Sequence, residues 1–140
     1  MKNLLLEYKE SIEFKKLGFD EPCFAYFDEV NDLEPYKKFT TQFDNMVNSY
    51  LPSINDSILD GVSNISECCT APTYEQAFQY IYKNFMTYSE FYIEDNLKTF
   101  GYMATSFSGN VRKDSNLVTG FSTELDAKKH FIKNFLNNLK

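Results

Sequence analysis

Tryptophan is absent from this 140-residue chain, and arginine and histidine occur once each, as Arg112 and His130. A lone histidine leaves metal chelation to cysteine and carboxylate. Only three cysteines are present, Cys23, Cys68 and Cys69, with no C-x-x-C pair. Adjacent cysteines rarely chelate one metal, so no zinc site and no disulfide framework is expected, and the three are read as free thiols, Cys23 buried and the other two in a loop. Glycine is scarce, and each one stands singly, which excludes a glycine-rich phosphate-binding loop. No block of Lys or Arg interrupts the acidic balance of −6, so duplex nucleic acid and anionic membranes are repelled rather than attracted. Long apolar runs are missing too. The start, Met1-Lys-Asn-Leu-Leu-Leu-Glu7, has three apolar residues in a row, too few for a signal peptide, and no later run approaches a membrane span. The setting expected is a cytosol, or a particle assembled in one.

What the chain has is apolar and aromatic. Hydrophobic residues make up 43%, with 14 Phe and 10 Tyr, which argues for a packed domain and against disorder. With Lys, Asn, Phe and Tyr abundant and Arg and Trp nearly gone, A/T-rich codon usage accounts for the aromatics better than a dedicated stacking surface does. At this length one domain is the simplest organisation, able to bury roughly 70% of the surface of the unfolded chain.

The pattern is organised around residues 71–85. Thr73 is placed to cap a helix, with Gln76 completing a capping box. At 100° per residue, Tyr74, Ala77, Phe78, Ile81, Tyr82 and Phe85 share one side. Upstream, residues 4–17 read as a helix with Leu5, Tyr8 and Ile12 on one face. Phe14 and Leu17 lie off that stripe, so the helix is either covered on two sides or broken near Ser11. Gly18 sits where a left-handed terminating residue belongs, with Phe19 placed to touch Phe14, and Pro22 prevents continuation. Residues 22–28 alternate two apolar sets and read as a strand covered on both faces.

Residues 30–70 are the least clearly patterned part of the chain. Tyr36, Phe39, Phe43, Met46, Val47 and Tyr50 form an amphipathic stripe, favouring a helix over about 36–50 with Pro35 in its first turn. The competing reading pairs 36–41 with the first strand. Pro52 to Thr70 reads as a surface loop. After the central helix, residues 87–94 and 98–107 form a hairpin about Asp95-Asn96, with Phe91 set opposite Phe100. Residues 108–120 read as a polar connection carrying Arg112, Lys113 and Asp114, whose tail, Leu117-Val-Thr119, is suited to a short edge strand. A last helix starts at Ser122 or Thr123, with Leu125, Phe131, Ile132, Phe135, Leu136 and Leu139 on one side and His130 on the other. The fold class implied is α+β, in the order α-β-α-α-β-β-α. One small antiparallel sheet of three or four strands, containing 22–28, 87–94 and 98–107, packs against helices 73–86 and 123–139.

Two of these segments, Phe14-Lys-Lys-Leu-Gly-Phe-Asp-Glu-Pro-Cys-Phe-Ala-Tyr-Phe27 and Ala71-Pro-Thr-Tyr-Glu-Gln-Ala-Phe78, followed by a capped final helix, resemble a family of small uncharacterised proteins from bacteriophages and prophage-bearing bacteria. The resemblance covers about half the chain. It implies a phage-type origin and nothing about activity. This chain has Tyr80-Ile-Tyr-Lys83 where the family carries a Trp-centred W-F-R-E segment, and against the family residues 30–70, between the two motifs, look like an insertion.

With no catalytic residue, metal ligand or cofactor motif in view, the reading is a non-enzymatic protein that binds another protein, either a virion component or a host-takeover factor. The alternative is a small-ligand or nucleotide binder, or a very small enzyme, with its site between sheet and loops. For an interaction surface the candidates are Tyr80, about 120° from the centre of its helix's apolar stripe, and Arg112 with Lys113, because Tyr and Arg anchor interfaces most often.

Overall fold

The computed structural model describes residues 4–21, 23, 25–27, 33–35, 69–94 and 98–140. The class is α+β, with elements in the order α1 (Tyr8–Lys16), β1 (Ala25–Phe27), β2 (Leu33–Pro35), β3 (Cys69–Thr70), α2 (Tyr74–Phe85), β4 (Thr87–Glu94), β5 (Thr99–Ser108), β6 (Val111–Asp114), β7 (Val118–Phe121) and α3 (Glu124–Asn138). The chain forms two compact units, Met1–Thr73 and Tyr74–Lys140.

In the first unit α1 is continuous and buried on two sides. Tyr8 and Ile12 pack onto a core of Leu5, Ala25, Phe27, Cys69 and Ala71, while Glu10, Ser11 and Phe14 are buried on another side. Leu17 caps the helix and Gly18 follows at φ 94°, a conformation that costs glycine nothing. Gly18 N donates to the Lys15 carbonyl and Phe19 N to the Phe14 carbonyl, each at 3.0 Å. Those are the two bonds of a Schellman motif, and the Phe14 and Phe19 rings meet edge-on at 6.1 Å.

The strand expected over 22–28 is present as β1, but its partners differ from those expected. It lies between β2 and β3 in an antiparallel sheet of order β2-β1-β3, with Tyr26 opposite Glu34 on one side and Thr70 on the other. The single sheet expected from sequence is therefore two. Short, nearby β2 and β3 satisfy β1, and β5 takes its further partners from the segment read as a polar connection. Cys69, assigned to a loop, is buried in β3. The helix expected over 36–50, the competing strand at 36–41 and most of the expected loop fall outside the described residues.

In the second unit α2 begins directly after Thr73, as the cap position requires. Tyr74, Ala77 and Ile81 are its buried residues. Phe78 is half-buried but touches the rings of Phe91 and Phe131 at 5.6 and 5.7 Å. Tyr82, placed on the apolar stripe by the wheel, is 51% exposed. The buried face is therefore narrower than the apolar one. Helix α3 starts where Thr123 Oγ1 accepts from Asp126 N at 3.1 Å and buries Ala127, Phe131, Ile132, Phe135 and Leu136.

The hairpin of β4 and β5 forms in a register two residues from the one expected: Phe91 faces Tyr102, and Ile93 faces Phe100. A two-residue slip preserves which side chains share a face. The connection runs from Glu94 to Thr99 and closes with Lys98 N donating to the Glu94 carbonyl at 2.9 Å. Strand β5 is the hub, pairing antiparallel with β4 along one edge and with β6 and β7 along the other. Gly101 lies at a register break in the β5–β7 pairing, where an added Cβ would come 2.7 Å from the Val118 carbonyl oxygen.

Candidate functional site

Directly opposed residues of antiparallel strands share a face, so the pairings sort the second sheet's side chains. Phe91 and Tyr102 face the helices: the Phe91 ring packs on Phe78, and both rings pack on Phe131. The other face therefore carries Tyr88, Glu90, Tyr92 and Glu94 from β4, Met103, Thr105 and Phe107 from β5, and Arg112 and Asp114 from β6.

That outer face is organised by β6. Arg112 Nε donates to Asp114 Oδ1 at 3.0 Å, and Thr105 Oγ1 donates to the same oxygen at 2.8 Å. These two hydrogen bonds, the arginine's first, hold the Asp114 carboxyl below its ordinary value, and the bond to Asp114 raises the Arg112 guanidinium. The pair stays wet, with side chains 53% and 40% exposed, so its worth lies in fixing the guanidinium more than in stability. Beside it, Tyr88 stacks on Phe107 at 6.3 Å and meets Tyr82 of α2 edge-on at 6.1 Å. Tyr92 donates its hydroxyl to Glu90 Oε2 at 2.5 Å, and that bond, with desolvation second, raises the phenol above its usual value. The result is an exposed sheet face of oriented aromatic, guanidinium and carboxylate groups.

The three residues singled out from sequence separate. Arg112 is at the centre of this cluster. Lys113, its neighbour in β6, opposes Ser106 and so belongs to the sheet's other face. Tyr80 is half-buried on α2, its ring edge-on to Phe85 at 6.4 Å, and the cluster forms around Arg112 instead. Arg112 and Lys113 are in a strand, not in a loop. The signal for that strand was present in Gly109-Asn110, a two-residue hairpin connection with Gly109 at φ 61°. Tyr88, Tyr92 and Phe107 were not anticipated as surface groups.

His130, expected to point away from the core, is exposed yet turned back onto it. Its Nδ1 lies 2.7 Å from the Tyr102 hydroxyl, and its ring packs on Tyr102 and Phe121 at 5.7 and 5.1 Å. Tyr102 is 1% exposed, and burial raises its phenol. A buried hydroxyl needs a partner, and the imidazole supplies it at the rim. Among the described residues no three His, Cys, Asp or Glu side chains gather as a metal-binding group, and no helix is long and apolar enough to cross a membrane.

No family model matches this chain, and neither does any curated protein or solved structure compared with it.

Proposed function

We propose that this chain is a non-enzymatic protein of phage type that acts by binding another protein, in the host cytoplasm or on the virion, through the outer face of the β4–β5–β6 sheet. The observation that carries the reading is the arrangement around Arg112: the chain's one arginine is held by Asp114, whose carboxylate Thr105 fixes in turn, on a face that also presents Tyr92 and the Tyr88–Phe107 stack. Tyrosine and arginine dominate the energetics of protein interfaces, and a pre-oriented side chain loses less entropy when a partner arrives. Nucleic acid is disfavoured as the partner. The chain's net charge is −6, and Glu90 and Asp114 outnumber Arg112 on the face itself.

The test is partner capture from infected host cells, comparing the unaltered chain with Tyr92→Ala. The reading expects a stoichiometric protein recovered by the first and lost with the second. Retention of that protein by a folded Tyr92→Ala variant places the contact elsewhere.

A further inference from the structure

Strand β4 lies at the edge of its sheet, and among the described residues its only strand partner is β5, along all eight residues Thr87–Glu94. Natural edge strands are protected by charged side chains, lysine above all, by proline, by a bulge or by a covering element. The segment Thr-Tyr-Ser-Glu-Phe-Tyr-Ile-Glu contains neither lysine nor proline, and its register with β5 is unbroken. Its charge is of one sign. Glu90 and Glu94 fall four residues apart on the outer face, with Tyr88 and Tyr92 on either side of Glu90. Among the described residues neither glutamate makes an ion pair, unlike Asp114 on the same face. Glu94 Oε1 is buried without a hydrogen-bond partner among the described residues, as is Oγ1 of Thr99 directly opposite.

We propose that the partner presents an extended basic segment that adds to β4 as a further antiparallel strand, with two Lys or Arg side chains four residues apart meeting Glu90 and Glu94 on the outer face. This rests on the reading of that face as the binding surface and specifies what occupies it. An added strand takes the backbone donors and acceptors of the edge, and its alternate side chains project onto the face that carries the glutamates. A cation opposite Glu90 also lies between two tyrosine rings, whose faces attract it. Charge selects this occupant over a second copy of the chain, because β4 against β4 brings carboxylates to an edge that has no cation to answer them.

The experiment uses the full chain and two fluorescein-labelled peptides of alternating Thr and Val, one carrying two lysines four residues apart and the other two glutamates at the same places. Anisotropy gives affinity, and amide chemical shifts give location. The lysine peptide is expected to bind, to bind more tightly than the glutamate peptide, and to shift the amides of residues 87–94. Glu90→Gln is expected to weaken it by about tenfold. Glu75→Gln removes the same charge from exposed α2 and is expected to leave the affinity within about twofold. Equal losses in the two variants, shifts centred outside β4, or no preference for lysine overturns the proposal. Loss of the natural partner in Tyr92→Ala is read independently, so a failed peptide does not by itself dismiss the outer face.

Discussion

Asp114 is the residue on which the outer face depends, since two donors from two strands converge on one of its oxygens. Its folded value lies below its unfolded one. The bonds from Arg112 and Thr105 therefore contribute fully above the unfolded value and are lost as pH falls through the folded one. A carboxyl-detected NMR titration should place the Asp114 midpoint below 3.8, and Thr105→Val should raise it. A midpoint at or above the ordinary value, unmoved by that substitution, contradicts the geometry. Tyr102 makes the second residue-scale prediction. Tyr102→Phe keeps the ring in the core and removes the hydroxyl that meets His130, and it should cost about 0.5–1.5 kcal/mol in urea denaturation. Arg112 was legible in the sequence through its rarity alone. Asp114, which orients it, lies two residues on in β6, but Thr105, which fixes Asp114, comes from β5 through a pairing that no local pattern announces.

At the scale of elements, the signals that depend on a few adjacent residues carried over directly. Gly18 with Phe14 and Phe19 gave the end of α1, and Thr123 gave the start of α3. Thr123→Ala should destabilise by about 1 kcal/mol while Thr123→Ser stays nearly silent, measured by thermal or urea unfolding. What did not carry over was non-local or two-sided. Both faces of β4 bear aromatics, Phe91 on one and Tyr88 and Tyr92 on the other, so period-2 alternation does not say which side is buried; the packing of Phe78 and Phe131 decides it. Strand β6 is Val-Arg-Lys-Asp, exposed throughout. An edge strand without an apolar face lacks the usual sequence signature, even with a Gly-Asn turn before it. Gly101 ties these elements together. Gly101→Ala drives a Cβ into the Val118 carbonyl and should cost about 1–3 kcal/mol in unfolding, because β7 must move to admit it. A neutral substitution there would mean that β7 does not approach β5 so closely.

For the whole molecule, the acidic balance and the distribution of chemistry point the same way. The described cysteines are buried and the histidine serves a core tyrosine. Among the described residues, the outer sheet face holds the cluster of exposed aromatic, guanidinium and carboxylate groups built on Asp114. This face is the surface proposed to bind the partner, and β6 supplies a direct control, since its alternation sends two adjacent cations to opposite sides. The measurement is the affinity of the captured partner, by titration calorimetry, for Arg112→Ala and Lys113→Ala in parallel. Arg112→Ala is expected to weaken binding by about tenfold or more while Lys113→Ala stays within about twofold. Equal losses, or a larger loss at Lys113, would show that charge on β6 rather than the outer face governs recognition.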